Sequence, residues 1–412
     1  MLLAACAGCA AAPPRSPSPE AVASPSPTTP PILGVDWLRI YDVEQPAGNA
    51  LTSPPPITHP GGSDHPAHYQ GGQADLVDVV AGGPGLVAVG FFDRGPEAAI
   101  WTSADGRSWR LARDFPVKDG TLAEAVGAGP RGLLVGGTDG RRAAAWISGD
   151  GRSWTQVDGG SAFDDAAAPL QITAVVPWRG GWSAGGYLGT FAGPLRAAFW
   201  FSADGASWQR MPDGAAFDDG RVMAMAAFGD GLVAVGATGT FDRRTGGAVW
   251  TSIDGLTWER LPSSTDLQAG VLFGVVAGGS GLVAVGADPD DRAAMAWTSA
   301  DGIAWTRAPE GTSLQNFGLK IRMQDVALIG NELIAGGHLL FGTQYATAVL
   351  WHSRDGITWE RAPEVPAFGD GEVSGIVAGG PGAVAVGTVG APDFFIPTVW
   401  LSPGKADLGP TP

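Results

Sequence analysis

The chain has 412 residues, of which 44% are hydrophobic and 16% are charged, and its formal net charge is −16. Its basic residues are scattered, so the basic stripe that would neutralise phosphates is missing and a nucleic-acid partner is excluded. No apolar run reaches the roughly 18 residues that a membrane-spanning helix needs.

The first residues predict a lipid anchor. Small residues precede a cysteine in Leu3-Ala4-Ala5-Cys6, which resembles the lipobox of bacterial lipoproteins and implies lipidation of Cys6. The apolar stretch that normally precedes a lipobox is missing, so residues 1–12 are interpreted as a truncated signal region with a start codon placed too late. The alternative is an alanine-rich disordered start.

Residues 13–31 are rich in proline, serine and threonine, cannot build a core, and are predicted to form an extended linker. An anchor followed by a spacer predicts an extracytoplasmic protein, either secreted or lipid-anchored to the outer face of a bacterial membrane. Membrane contact is expected through the lipid anchor only. Cys6 and Cys9 are the only cysteines, so the rest of the chain has no disulfide.

A long connection runs from residue 41 to residue 74, and such lengths are uncommon in compact domains unless they are functional or disordered. It carries His59, Asp64, His65 and His68, and a His-x-x-His pair beside a carboxylate is a pattern that can hold zinc. The flanking prolines and glycines favour a solvated loop instead. We therefore predict no metal and no cofactor.

From residue 74 onward, an apolar stretch ending in glycine recurs with a period of about 50 residues, which suits a four-stranded propeller blade. The seven copies are residues 85–90, 132–137, 181–186, 231–236, 281–286, 331–337 and 382–387. Another apolar run precedes each copy and a third strand follows it. The repeats predict an all-β fold.

Six repeats contain the pattern Ser-x-Asp-Gly-x-x-Trp, and a second tryptophan lies eight positions before the final one. The copies are residues 103–109, 148–154, 202–208, 252–258, 299–305 and 353–359. An Asp side chain can accept backbone N–H bonds, and Gly permits the positive φ of a tight hairpin. The pattern resembles the Asp-box (BNR) repeat of sialidase-like propellers, over residues 75–402. Kelch propellers are the alternative, because paired glycines also occur here.

The seventh repeat lacks its second tryptophan. Trp37-Leu38-Arg39-Ile40 matches the fourth-strand pattern of the other repeats, such as Trp258-Glu-Arg-Leu261. We therefore predict a seven-bladed β-propeller of four-stranded antiparallel blades over residues 32–402, with the N-terminal strand completing the last blade. A C-terminal tail covers residues 403–412.

One face of this ring carries the irregular loops, and variable loops on a rigid scaffold are where binding usually occurs. Aromatic and arginine side chains suit recognition of a glycan or a peptide. The candidate binding residues are Phe92, Arg94, Arg142, Tyr187, Arg196, Arg243, Arg244, Arg292, Tyr345, Phe394 and Phe395. Repeated Phe-Asp elements beginning at Phe163, Phe217 and Phe368 are either packing elements or part of the same site.

The sequence favours a binding module over an enzyme. A sialidase-type glycan hydrolase, the alternative, needs three arginines for a carboxylate, a Tyr–Glu nucleophile pair and an acid. Only four tyrosines occur, and no Glu partner is apparent beside them. The letters Gly-x-Ser-x-Gly at residues 181–185 lie inside a repeated strand, whereas a nucleophile elbow needs a following helix. No catalytic residue is assigned. The expected partner of this monomer is a glycan, a peptide or a surface protein.

Overall fold

The computed structural model describes residues 37–44, 74–92, 97–116, 120–278, 281–311, 313–315, 318–341, 345–363, 366–391 and 394–402. The predicted signal region, linker and C-terminal tail lie outside these ranges, and so do Cys6, Arg94 and the candidate zinc ligands His59, Asp64, His65 and His68. These assignments stay predictions. Tyr345, Phe394 and Phe395 are described in their backbone only.

Seven four-stranded antiparallel sheets follow one another along the chain, which confirms the predicted seven-bladed β-propeller. The inner strands are β2 (Ala74–Gly82), β6 (Leu122–Gly129), β10 (Leu170–Trp178), β14 (Arg221–Phe228), β18 (Val271–Gly278), β22 (Lys320–Ile329) and β26 (Gly371–Gly379). The second strands are β3 (Gly85–Phe92), β7 (Gly132–Thr138), β11 (Gly181–Leu188), β15 (Gly231–Gly239), β19 (Gly281–Ala287), β23 (Glu332–Phe341) and β27 (Gly382–Ala391).

The third strands are β4 (Glu97–Ser103), β8 (Ala143–Ser148), β12 (Arg196–Ser202), β16 (Arg244–Ser252), β20 (Ala294–Ser299), β24 (Tyr345–Ser353) and β28 (Phe394–Ser402). The outer strands are β5 (Arg110–Leu111), β9 (Thr155–Gln156), β13 (Gln209–Arg210), β17 (Glu259–Arg260), β21 (Thr306–Arg307), β25 (Glu360–Arg361) and β1 (Leu38–Ile40). Blades 1 to 7 are numbered by their inner strands in chain order.

The helices are single turns in the connections between blades. They are α1 (Thr265–Gln268) and the 3₁₀ helices Gly160–Phe163, Ala215–Phe217 and Pro366–Phe368. No helix within the described ranges has the length and apolar character needed to cross a membrane.

Every inner strand contains a β-bulge, and the bulges explain why the second strand always carries a glycine. The extra residues are Val77, Glu124, Thr173, Met223, Phe273, Gln324 and Ser374. The bulge brings a backbone carbonyl oxygen against the second strand, where a Cβ on the facing glycine would lie 1.7–2.0 Å from it. Those glycines are Gly90, Gly137, Gly186, Gly236, Gly286, Gly337 and Gly387. Only a residue without a side chain fits there.

Fully buried third-strand tryptophans join each blade to the connection that precedes it. Each indole Nε1–H donates to a backbone carbonyl in that connection, at 2.6–3.0 Å. The tryptophans are Trp101, Trp146, Trp200, Trp250, Trp297, Trp351 and Trp400. A large ring between blades together with a satisfied polar atom makes this position a main source of packing energy.

The six Ser-x-Asp-Gly turns join third and outer strands with one hydrogen-bond pattern. In the turn of blade 5, Gly302 N–H donates to Ser299 Oγ, and the next two backbone N–H groups donate to Asp301 Oδ1. The turn glycines have φ between 74° and 83°, the region that favours glycine. These hydrogen bonds to the ionised form lower the pKa of the turn aspartates. The geometry agrees with the role predicted for the pattern, whereas assignment to the Asp-box family stays a prediction.

The N-terminal strand completes blade 7, as predicted. β1 pairs antiparallel with β28, and Arg39 lies opposite Trp400. Trp37 is 3% exposed and packs against Phe368, with ring centroids 5.8 Å apart. Arg39 donates to two carbonyl oxygens at 2.6 and 2.9 Å in the connection before blade 7.

The chain then crosses to blade 1. Val43 bridges Trp109 in parallel, and Asp42 forms an ion pair with Arg110 at 2.7 Å. The carbonyl of Glu44 accepts the Trp101 indole N–H at 2.8 Å, as the other connections do for their tryptophans. Residues 37–44 thus join the last blade to the first.

Candidate ligand-binding channel

The two faces of the ring differ in the residues that they present. We call the face with the first-to-second and third-to-outer strand turns the turn face. The loop face is the opposite one, formed by the second-to-third strand connections and by the connections between blades. Inner strands run from the loop face to the turn face, so the first residues of each inner strand lie at the loop face.

A channel of about 340 Å³ runs along the centre, and all seven inner strands line it. All seven bulge residues are among its lining residues. Because a bulge re-aims a side chain, the bulges place polar groups such as Glu124, Thr173, Gln324 and Ser374 along the channel, beside the charged side chains of other lining residues such as Asp78 and Asp325. The channel is the concave site with converging polar groups that this fold offers to a ligand.

Three arginines converge at the loop-face end of the channel. Arg221 lies near the start of β14, Arg244 at the start of β16 and Arg322 near the start of β22. Arg244 and Arg322 lie on the same Phe273 ring, with guanidinium carbons 5.6 and 5.4 Å from its centroid. Arg221 lies 4.3 Å over the ring of Phe241. We call Arg221, Arg244 and Arg322 the arginine cluster.

Arg221 is buried, Arg244 and Arg322 are half-buried, and the charges of the arginine cluster are only partly neutralised. Burial, together with the charges of Arg244 and Arg322, lowers the pKa of Arg221 to about 10. Arg244 forms a buried ion pair with Asp291 at 2.6 Å. The Nε atoms of Arg221 and Arg322 are buried with no hydrogen-bond partner among the described residues. Buried donors without partners are rare in proteins and costly, so they mark a place that an acceptor can fill.

Beside Arg322 lies a neutral histidine. His338 is 2% exposed, and its Nδ1 lies 3.2 Å from a carboxylate oxygen of Glu372. Burial and the nearby charge of Arg322 lower the pKa of His338 well below its usual value. His338 therefore adds a hydrogen-bonding group to the channel mouth at neutral pH without adding positive charge.

The other side of the arginine cluster is aromatic and acidic. The Tyr187 hydroxyl donates to Gln171 Oε1 at 2.6 Å, and its ring contacts Phe241 at 5.2 Å between centroids. Burial raises the pKa of Tyr187, and so does the nearby charge of Glu124. Phe191 stacks on Phe241 at 5.4 Å and is 66% exposed. Tyr187 thus has an acidic neighbour that the sequence did not reveal.

The structure places two of the predicted binding residues at the arginine cluster: Arg244 belongs to it, and Tyr187 lies close to Arg221. The rest of the described set is dispersed around the rim. Phe92 packs on Trp101, and Arg142 donates to the Gly160 carbonyl. Arg196 forms ion pairs with Asp213 and Asp218. Arg243 is exposed, and Arg292 is exposed and forms an ion pair with Asp290.

The phenylalanines of the Phe-Asp elements are packing elements. Phe163, Phe217 and Phe368 are 2%, 5% and 4% exposed. Phe217 packs against Phe199, and Phe368 stacks on Trp400 at 5.7 Å. None of the three rings is available to a ligand.

Sequence reasoning missed Arg221, Arg322 and His338 because it examined loops, whereas these residues lie in strands. A signal was present: the position two residues before each bulge carries Asp75, Gln171, Arg221, Arg322 or Glu372 in five blades. Two of the residues at this position, Arg322 and Glu372, line the channel. Among the described residues, no group of three His, Cys, Asp or Glu side chains is placed to hold a metal ion.

Deeper in the channel, carboxyl groups hold protons unusually tightly. Burial and the charge of Asp325 raise the pKa of Asp78 to about 7, and burial raises that of Asp325 to about 6. Burial also raises the pKa of Glu124 to about 7. Asp78 and Asp325 accept backbone N–H bonds from the next blade, from Val126 at 2.8 Å and from Ile376 at 2.9 Å.

These shifts predict a protein that is more stable at mildly acidic pH, because three raised carboxyl pKa values outweigh the opposite effect of the single lowered pKa of His338. A carboxyl whose pKa is raised by folding stabilises the fold when protonated, and this contribution is lost as pH rises through 6 to 7. We expect the free energy of unfolding to be larger at pH 5.5 than at pH 8 by about 1–4 kcal/mol, measured by urea denaturation. Glu124→Gln should reduce the difference. Greatest stability at pH 8 would contradict the prediction.

No family model matches the chain, and no curated protein matches it. Among solved structures, the chain is similar to YCF48 bound to a D1 peptide, with a TM-score of 0.51 and 14% identity over 82% of this chain and 95% of that chain. A Trypanosoma rangeli sialidase gives a TM-score of 0.48 and 12% identity over 88% of this chain. This chain covers 59% of that sialidase. At such identities the likeness shows the propeller fold alone.

Proposed function

We propose that this propeller is a binding module that takes an acidic peptide into the loop-face end of its channel, where the arginine cluster holds a carboxylate. The observation that carries the proposal is the convergence of three arginines of which, among the described residues, only Arg244 forms an ion pair. A bound carboxylate offsets the repulsion among the three neighbouring guanidinium groups. Arginine suits this task because its planar fork matches a carboxylate.

The neighbouring groups support a peptide as the ligand. Phe191 is exposed beside the arginine cluster and offers an apolar ring to a side chain, while Gln171 and His338 offer hydrogen bonds. YCF48, which shares the fold, has been solved with a bound peptide. The extracytoplasmic, lipid-anchored location remains part of the proposal and rests on Leu3 to Cys6 and the linker.

A sialidase-type hydrolase is the alternative, because three arginines and a Tyr–Glu neighbourhood do occur together. The electrostatics of Tyr187 favour binding over catalysis. A tyrosine nucleophile needs a lowered pKa or a base that accepts its proton, whereas burial raises the pKa of Tyr187 and its hydroxyl donates to an amide. Glu124 itself holds a proton more tightly than usual, with its pKa raised to about 7.

The test uses hexapeptides rich in Asp and Glu with a free C-terminus, compared with amidated Asn/Gln counterparts. We expect the acidic set to bind in fluorescence anisotropy and the neutral set to bind at least about tenfold more weakly, since a charge-assisted hydrogen bond contributes about 1.5–3 kcal/mol. Arg221→Met and Arg322→Met should each weaken binding by about tenfold or more for the same reason.

Arg196→Met is the matched control, because Arg196 pairs with acids at the rim and does not belong to the arginine cluster. The Arg196→Met variant should bind the acidic peptides with the same affinity as the natural protein. Removal of a buried Arg by Met should leave the melting temperature unchanged or raised. If the Arg221→Met/Arg322→Met double variant binds the acidic peptides as tightly as the natural protein, the proposed site is refuted. If the natural protein releases the fluorophore from a 4-methylumbelliferyl sialoside, it is a sialidase-type hydrolase instead.

A further inference from the structure

Four exposed aliphatic side chains lie on the turn face in three consecutive blades. Ile253 and Leu256 of blade 4 are 79% and 43% exposed, Ile303 of blade 5 is 64% exposed, and Ile357 of blade 6 is 47% exposed. We call these four residues the aliphatic patch. Single exposed apolar residues are normal on a protein surface, whereas a cluster in adjacent repeats marks an interaction site.

The patch is presented by rigid turns. Leu256, Ile303 and Ile357 occupy the same position, directly after the turn glycine, and their N–H groups are bound by Asp254, Asp301 and Asp355 at 2.8 Å. The equivalent residues in blades 1 to 3 are Arg107, Arg152 and Ala206. Repetition of the turn therefore does not by itself require an aliphatic residue there.

Consecutive turns also lie close together. Each turn leans over the preceding blade: a Cβ on Gly302 of blade 5 would lie 3.1 Å from Val233 of blade 4. A Cβ on Gly356 of blade 6 would lie 2.8 Å from Val283 of blade 5. The four aliphatic side chains thus stand on a continuous arc of packed turns.

The chain enters and leaves the propeller at this same face. β1 is an outer strand and runs from the turn face towards the loop face, and Leu38 lies opposite Leu401. Trp37 is therefore at the turn face. β28 ends at Ser402, also at the turn face. The arginine cluster lies at the opposite face.

The turns around the aliphatic patch carry more carboxylates than cations. Blades 4 to 6 hold Arg354 with Asp230, Asp254, Asp301 and Asp355 in their described turns, and Arg179 of blade 3 donates to the Ile253 carbonyl at 2.9 Å. This excess of carboxylates, like the net charge of −16 of the whole chain, repels an anionic surface and leaves a zwitterionic headgroup layer, with its cationic choline groups, as the lipid surface that the patch can contact.

We propose that the aliphatic patch rests on a zwitterionic lipid surface, with the turn face towards the bilayer and the channel mouth turned away from it. Aliphatic side chains enter the headgroup boundary of a bilayer, as those of interfacial helices do, and a second membrane signal turns weak, reversible binding into stable anchoring. The inference departs from the expectation that membrane contact occurs through a lipid anchor only, because it adds a contact through the aliphatic patch. It does not depend on which ligand the channel takes.

The test compares one label on each face. The full chain, with Cys6→Ala and Cys9→Ala, is attached by an N-terminal histidine tag to phosphatidylcholine vesicles that contain a nickel-chelating lipid. An NBD fluorophore is placed at Ile303→Cys or, as the matched control, at Phe191→Cys, an exposed apolar position on the loop face. We expect the emission at position 303 to shift to the blue, to rise about twofold or more, and to be quenched by doxyl-labelled lipid, as burial at the interface requires.

The label at position 191 should not respond. Equal responses at the two positions, or no response at either, would overturn the proposal. A second measurement removes the patch with Ile253→Ser, Leu256→Ser, Ile303→Ser and Ile357→Ser, all exposed and so harmless to the fold. Partitioning of the untethered chain onto phosphatidylcholine vesicles should fall at least about fivefold. Unchanged partitioning, or binding to anionic vesicles only, would contradict the proposal. A response of the label at position 303 that depends on protein concentration and occurs without vesicles would also contradict it, and would indicate that a second copy of the chain covers the aliphatic patch.

Discussion

A chain that begins at Gly72 should be unable to close its ring and should aggregate or unfold at a much lower urea concentration than one that begins at Ile32. The shorter chain lacks β1, so the backbone groups of β28 lose their partners along one edge. It also lacks Trp37, whose removal alone resembles a buried aromatic-to-Ala change of about 3–5 kcal/mol. Loss of the Glu44 carbonyl further leaves the Trp101 indole unpaired.

The measurement is urea denaturation followed by tryptophan fluorescence, together with size-exclusion chromatography, on residues 1–412, 32–412 and 72–412. The first two chains should have the same midpoint, because residues 1–12 are predicted to be a signal region and residues 13–31 a linker, both outside the ring. Trp37→Ala in the chain that begins at Ile32 should fall between the two extremes. Identical midpoints for the chains that begin at Ile32 and Gly72 would show that the ring does not need its N-terminal strand.

Gly286→Ala should destabilise the protein by about 3 kcal/mol, although it adds a single methyl group. The added Cβ would lie 1.8 Å from the backbone oxygen of Val271 in the bulged inner strand. A flexible side chain could move aside, but a carbonyl inside a hydrogen-bonded sheet moves only with its strand. The strain therefore stays in the native state.

Gly149→Ala is the control for this prediction. A Cβ at Gly149 would meet nothing within 4 Å, and the equivalent turn position holds Ala in Ala104, Ala203 and Ala300. We expect the free energy of unfolding of this variant to stay within about 0.5 kcal/mol of that of the natural protein. It could also rise slightly, because alanine lowers the conformational entropy of the unfolded chain. Equal midpoints for Gly286→Ala and Gly149→Ala would show that the bulged strand accommodates the added methyl group without destabilising the protein.

The architecture was predictable because its determinants repeat. The paired tryptophans, the Ser-x-Asp-Gly turns and the recurring glycine give seven strand groups without any knowledge of tertiary contacts. The closure was predictable for the same reason: Trp37 has the neighbours of an outer strand, and Trp400 lacks its partner. Local patterns suffice when each repeat buries the same surface against the next.

The channel was much less predictable, because its residues follow no shared type. The bulged positions hold residues as different as Val77, Glu124 and Phe273, so the glycine that faces each bulge marks its position without indicating its side chain. Arg243 and Arg244 are the clearest example of this difficulty. They are adjacent in the chain, yet one is exposed and the other is half-buried in an ion pair with Asp291. Which of the two neighbours turns inwards depends on strand register, which the loop composition does not encode.

The pairing of β1 with β28 has a consequence for the order in which the protein folds. β1 is synthesised before every other described strand and its partner strand after them, with more than 350 residues between Ile40 and Val399. Blades 1 to 6 each complete from consecutive strands and can form during synthesis, whereas blade 7 must wait for β28. Until β28 has been synthesised, Trp37 has no partner strand and the flank of blade 1 stays open. The last folding step is therefore the joining of the two ends of the chain.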